Sequence, residues 1–354
     1  MPLEAAATVV DEDGVTFRYV DETGEVSGVS LVQEVAIPRA GPDFVPLGKG
    51  AWEVRFARPE VDRFEYRFEL RWPGPGRRDL ILDPDNTKTA PGAFGLRSVI
   101  EFPEYEAPGW FDSEPPRGEV TELDIPSARL GGAQPCLLWS SHGSKPNARL
   151  PLLVALDGVE FERFSGLLRF LDAMTDMHAI PPMRALLMHP TRRDDHYSAN
   201  PAFPAALEEE IVPAVNDVAP VRSGESNLAG LGASLGGLAL IHAHRRMKVG
   251  FGALFLQSST FLHHGYLLGF AHYRRVERFL SEILDGTGGG DNASIELTCG
   301  SVEFSLENNR AVARSLRRRG DSVGMHTLRD AHNWIAWRDA WDPHLVTLLQ
   351  ENFG

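Results

Sequence analysis

Three apolar runs that end in turn residues restrict this chain's fold more than any other feature. They are "LPLLVALDG" from Leu150, "RALLMHP" from Arg184 and "SNLAGLGAS" from Ser226. A strand with one face in water alternates apolar and polar side chains, whereas a strand apolar throughout is buried on both faces. Between and after these runs lie stretches with helical spacing, "PAFPAALEEEIVPAVN" and "LENNRAVARSLRRRG". The second sets Ala311, Val312 and Leu316 on one side and has Gly320 as a stop. Strand and helix alternating at such short intervals predict a mostly parallel sheet with helices on both faces, an α/β domain that begins near Gly118.

The preceding third reads as β-structure. In "AWEVRFARPEVDRFEYRFEL" apolar residues recur at Trp52, Val54 and Phe56 and again at Phe64, Tyr66, Phe68 and Leu70. That is the two-residue period of a half-buried strand, and the two runs together predict an antiparallel hairpin. "VTFRYV" and "GVSLVQEVA" supply two further strands. A Pro- and Gly-rich connection, from "LILDPDNTKTAPGAFG" to "EYEAPGWFDSEPPRG", predicts irregular chain and a domain boundary. The expected organisation is a small β-sandwich over residues 1–112 and an α/β catalytic domain over 113–354.

Composition narrows the function. The 354 residues suit two domains, and 43% hydrophobic with 24% charged residues is an ordinary globular balance without a membrane-length apolar run. The net charge of −14, of which −9 falls in the first 112 residues, argues against a nucleic-acid partner. The start "MPLEAAATVVDEDGV" has neither the basic opening nor the apolar core of a secretory signal. Cys136 and Cys299 each lie in an apolar segment and read as buried thiols, so the expected location is the cytoplasm. The sequence carries no signal for an oligomeric state.

Chemistry enters at Gly232-Ala-Ser234-Leu-Gly236, a G-x-S-x-G turn between an apolar strand and the helical "LGGLALIHAHRR". Such a turn exposes the serine hydroxyl, and the helix after it favours developing negative charge. Ser234 is therefore the candidate nucleophile, with the Leu235 N–H as one oxyanion donor. The second donor is expected in the turn after "LPLLVALDG", from Gly158 or Val159, with Asp157 as a structural turn residue. In a Ser, acid, His chain order the base comes after the last strand, which selects His332. The acid comes after "SIELTCG", where Glu303 is the candidate and Glu307 and Asp330 compete. His326 reads as structural, and His242 and His244 lie on the helix after the serine. His263 and His264 come after "LFLQSST" at a strand end and are candidate pocket residues, but no third metal ligand accompanies them.

Taken together, these segments resemble the enterochelin (enterobactin) esterase family. The resemblance is carried by "LLVALDG", "RDDHYSANPAF" and then "EEEIVP", "GASLGG", "LQSS", the Gly300–Glu303 turn and "AHNWIAWR". It implies an α/β-hydrolase of the esterase D type behind a β-sandwich, and hydrolysis of the ester backbone of a catecholate siderophore. The amino-terminal third, through Trp52 and "DPDN", also looks like the Ig-like E-set domains of glycogen-branching enzymes. Two positions depart from the family: His196 stands where an acidic residue is usual, and Asn333 stands after His332 where the family often has aspartate. Feruloyl and acetyl xylan esterases and mycolyltransferases share the fold, so the departures bear on the substrate.

The expected activity is thus a serine esterase without metal or cofactor, acting on a small-molecule ester such as a ferric siderophore, with no nucleic-acid or membrane partner. Arg193 is the candidate for meeting a negative substrate group, or else it pairs with Asp194, Asp195 or Glu208. Trp110, in the exit of the sandwich, is expected to line the pocket. The rival readings are an acyltransferase of the same fold and a carbohydrate-binding protein with Trp52, Trp72 or Trp110 as its platform.

Overall fold

The computed structural model describes residues 8–36, 42–114, 116–222, 224, 227–262, 271–287 and 293–354. The chain forms two compact units, and the first is discontinuous: Met1–Glu106 together with Gly300–Phe304 and Leu328–Asn333.

The first unit holds two antiparallel sheets. Its strands are β1 (Val9–Asp11), β2 (Gly14–Val20), β3 (Gly28–Gln33), β4 (Val45–Gly48), β5 (Ala51–Ala57), β6 (Arg63–Arg71), β7 (Arg78–Ile81), β8 (Thr89–Ala90) and β9 (Arg97–Glu101). One sheet has the order β1-β2-β5-β4 and the other β3-β6-β9-β8, with β7 beside β6. Phe17 from the first sheet and Phe64, Tyr66 and Phe68 from the second share one apolar core, with Phe17 edge-on to Tyr66 at 4.7 Å.

The alternating segment that predicted a hairpin does form two strands, β5 and β6, but they do not pair. β5 bonds to β2 and β4, whereas β6 bonds to β3, β7 and β9. Residues 58–62 carry the chain from one sheet to the other. A two-residue period decides which side chains point inward, and both strands obey it toward the same core; it says nothing about the neighbouring strand. The connection read as irregular also contains regular structure, since β9 lies within it and buries Val99 and Ile100.

The sheet of the second unit runs through β10 (Glu119–Ser127), β11 (Gly132–Ser140), β12 (Leu152–Ala155), β13 (Arg184–Met188), β14 (Leu228–Ala233), β15 (Ala253–Gln257), β16 (Ser294–Gly300) and β17 (Ser322–Leu328). Its order is β10-β11-β13-β12-β14-β15-β16-β17. β12 to β16 are parallel where paired, while β10 and β11 form an antiparallel edge that the sequence did not suggest. The three apolar runs supply β12, β13 and β14, which are buried almost throughout. The helices are α1 (Gly158–Ser165), α2 (Leu167–Asp176), α3 (Arg193–Tyr197), α4 (Ala202–Ala206), α5 (Val212–Val218), α6 (Leu235–His244), α7 (Tyr273–Leu284), α8 (Leu306–Arg318), α9 (Trp334–Asp339) and α10 (Val346–Phe353). None of the described helices is long and apolar enough to cross a membrane.

Trp110 departs from its expected place at the pocket. The segment from Ala107 belongs to the second unit, and a short helical turn over Gly109–Asp112 turns the indole inward. There it is 5% exposed, stacked on Trp341 at 5.8 Å and edge-on to Phe170. An aromatic residue beside Pro and Gly is as well suited to close a core as to face a ligand, and here the core takes it. Trp110→Ala should therefore cost roughly 3–5 kcal/mol of stability, read as a lower urea midpoint. A midpoint equal to that of the parent protein would contradict this packing.

Candidate active site

At the end of β14 the chain reverses into α6 within one residue. Ser234 takes the whole change at φ 72° and ψ −112°, a backbone conformation that a residue with a side chain holds only under strain. A Cβ on Gly232 would lie 2.7 Å from the Gly236 carbonyl carbon, so this approach requires glycine. The Ser234 N–H donates to the Gln257 carbonyl at 2.9 Å, and the Ser234 carbonyl accepts from the Thr260 N–H at 3.0 Å. Oγ of Ser234 lies 3.2 Å from the Thr260 hydroxyl. Gln257 is held in turn, donating to the Trp337 carbonyl at 2.8 Å and accepting from the Trp341 indole at 3.2 Å. Thr260 was missed by the sequence reading; the run of hydroxyl residues in "LQSST" after β15 was its only signal.

Two helix N-termini meet beside this turn. The first N–H groups of a helix have no intrahelical acceptor and carry the positive end of its dipole. A Cβ on Gly236 would lie 3.4 Å from the Leu156 Cβ and 3.6 Å from Oδ2 of Asp157, so the opening turn of α6, with Leu235, lies against the exit of β12. That exit is Asp157, at φ 55°, leading to Gly158 and Val159 at the start of α1. Gly158 is packed so closely that a Cβ would come within 2.6 Å of the Leu187 Cα.

Arg193, at the start of α3, is committed to this turn. Its Nε donates to both Asp157 carboxylate oxygens, at 2.8 and 2.9 Å, and its Nη2 to Oδ2 at 2.6 Å. Burial works against the guanidinium charge, but the Asp157 hydrogen bonds and charge outweigh it and hold the Arg193 pKa above its ordinary value. The partner is thus none of the acids expected from the sequence. Asp195 is paired with Arg192 and Arg275, and Glu208 accepts backbone N–H groups of Lys248 and Val249.

His332 and Glu303 come together in the first unit. Nδ1 of His332 lies 2.8 Å from Oε2 of Glu303, and Oε1 of Glu303 accepts the Gly300 N–H at 2.8 Å. Glu303 is 2% exposed, whereas the His332 side chain is 38% exposed. A carboxylate on Nδ1 favours the tautomer with its proton there, which leaves Nε2 as the basic nitrogen. The competing acids are engaged elsewhere. Glu307 is exposed and bonds to Arg310. Asp330 is buried, accepting the Ala331 N–H at 2.7 Å and the Asn333 amide at 2.8 Å.

The remaining histidines are placed differently. His326 bonds to Glu296 at 2.7 Å from β17. His242 is buried in α6, edge-on to Phe279, and burial pushes its pKa down to about 3. His244 accepts the Phe251 N–H at 3.1 Å. His263 and His264 lie outside the described residues. Of the candidate sugar platforms other than Trp110, Trp72 has its face covered by Arg77 at 4.5 Å and its N–H bonded to Asp79, and Trp52 packs against the core of the first unit.

No family model matches the chain. The iron(III) enterobactin esterase of Escherichia coli O6:H1 strain CFT073 is 25% identical to it over 306 residues, 84% of this chain and 74% of the relative. Among solved structures, the enterobactin esterase from Shigella flexneri in the presence of enterobactin superposes with a TM-score of 0.79 at 21% identity, covering 98% of this chain and 97% of that one. A ferulic acid esterase superposes with a TM-score of 0.55 at 15% identity, covering 68% of this chain and 100% of its own. The chain is therefore a carboxylic ester hydrolase with a mixed α/β fold and a mostly parallel sheet. More particularly, it is a homologue of the iron(III) enterobactin esterases.

Glu303→Gln should slow hydrolysis of an aryl ester by about two to four orders of magnitude, because it removes the carboxylate bonded to Nδ1 of His332 and keeps the other groups. Glu307→Gln should leave the rate within about twofold, since exposed pairs contribute little. Equal rates for Glu303→Gln and the parent would remove Glu303 from the site.

Proposed function

We propose that this esterase works through Ser234, His332 and Glu303 on the ester backbone of a catecholate siderophore. The observation that carries the reading is the strained turn that presents Ser234 at the N-terminus of α6. Oγ of Ser234 attacks the ester carbonyl carbon and its proton passes to Nε2 of His332, which the Glu303 carboxylate orients. The oxyanion is held by the Leu235 N–H and by an N–H from Gly158 or Val159, each donor contributing about 3–4 kcal/mol. Collapse expels the alkoxide, which takes the proton from His332, and water then releases the acyl group by the same route. The substrate class is supported by the relatives named enterobactin esterase. The first unit, with two sheets around one core, we read as an Ig-like E-set sandwich. Its place of action we take to be the cytoplasm, in keeping with two buried free thiols.

A fluorophosphonate probe should label Ser234, and Ser234→Ala should fold but lose both label and hydrolysis. Product analysis with a catecholate triester, a feruloylated sugar and an aryl ester should then show catechol-serine units as the preferred release. A folded protein that is labelled elsewhere overturns the mechanism, and faster cleavage of the feruloyl ester overturns the substrate class.

Arg193 supplies another test. Because its guanidinium holds Asp157 beside the Gly158 turn, Arg193→Ala should lower kcat about tenfold or more for neutral and anionic esters alike. A rise in KM confined to the anionic ester would instead mean that Arg193 meets the substrate.

A further inference from the structure

The two loops that carry Glu303 and His332 fold as part of the first unit. Val302 and Ala331 lie in the apolar core of its sheets, beside Phe17, Phe64 and Phe68. The backbone is tied as well: Ala36 N–H donates to the Val302 carbonyl at 2.9 Å, and Asp62 N–H to the Arg329 carbonyl at 2.7 Å. The Ser301 hydroxyl donates to the Glu60 carbonyl at 2.6 Å, and Arg329 bonds to Asp62 at 2.8 Å.

Beneath His332 these contacts become ionic. Asp330 precedes His332 by two residues, and its Oδ1 accepts the Ala331 backbone N–H and the Asn333 side-chain amide, so one carboxylate ties the residues on both sides of His332. Its other oxygen, Oδ2, faces Nη1 of Arg63 at 4.0 Å. Arg63, the first residue of β6, is 3% exposed and also bonds to Glu65 at 3.0 Å. Close by, Glu34 pairs with Arg97 at 2.7 Å. Burial raises the carboxyls of Asp330 and Glu34 to about 7, against the opposing pull of Arg63 on the first and Arg97 on the second. Charges buried this deeply are a poor route to stability, because apolar residues of the same volume usually do as well or better. Their presence under the loop that carries His332 is better accounted for by orientation.

We propose that Arg63, acting through Asp330, is a positioning residue for His332, so that the amino-terminal unit holds the base of the reaction in place. The inference rests on the roles given above to Ser234 and His332. It makes the first unit necessary for every substrate, small or large.

The test uses the full-length enzyme and a small neutral ester, p-nitrophenyl acetate. Arg63→Met should lower kcat at least tenfold with KM within about twofold, and should slow fluorophosphonate labelling of Ser234 by the same factor. Arg63→Lys should recover part of the loss. Asp330→Asn, which keeps an acceptor for both hydrogen bonds and removes only the charge facing Arg63, guards against misfolding of the arginine variant. At pH 8.5, above the range in which this carboxyl titrates, Asp330→Asn should lower kcat at least fivefold. Val54→Ala, a truncation on β5 in the same core, should lower the melting temperature and leave kcat unchanged. The inference is overturned if folded Arg63→Met and Asp330→Asn match the parent in kcat, or if kcat falls only as far as the folded fraction does. A parent without Ser234-dependent hydrolysis fails earlier, overturning the reading of the site and this inference with it.

Discussion

There is no room for a methyl group between Gly232 and the carbonyl of Gly236. Glycine at 232 is what permits β14 and α6 to meet with a single residue between them, and that residue, Ser234, absorbs the reversal. Strain of this kind costs about 1–3 kcal/mol and persists only where the surroundings over-determine the backbone. Here they do so from β15, whose exit supplies the Gln257 carbonyl and the Thr260 N–H, while Trp337 and Trp341 hold the Gln257 side chain. The aromatic residues near the carboxyl terminus thus act on the serine through a fully buried glutamine.

The Asp157–Arg193 pair fits the same economy of charge. Asp157 lies near the opening turn of α6, where an unbalanced carboxylate would compete with any negative charge that develops at the serine. Three short hydrogen bonds from Arg193 offset it. The pair therefore keeps an unbalanced negative charge away from the first turns of α1 and α6.

Local chemistry was legible in the sequence, and long-range partnership was not. The apolar runs that became β12, β13 and β14 could be read because burial on both faces removes polar residues altogether. The turn at Ser234 could be read because its steric needs lie within five consecutive positions. Glu303 could be preferred over Glu307 and Asp330 only by its place after β16, since what separates the three carboxylates is what their neighbours offer: a Gly300 N–H, an exposed arginine and a buried one. The same limit explains β5 and β6, whose pattern predicted that they pair with each other, whereas each pairs with strands of a different sheet. Trp110 failed for a related reason, because its environment is set by Phe170 and Trp341, far away in sequence.

The discontinuity of the first unit has a bearing on how the chain is made. Its core includes Val302 and Ala331, so the strands formed by residues 8–101 lack part of their interior until the chain has been synthesised past Asn333. At about 5–20 residues per second, that leaves the amino-terminal sheets waiting roughly 10–45 s with an incomplete interior. An amino-terminal unit built this way is completed by two short segments that leave the ribosome long after its strands.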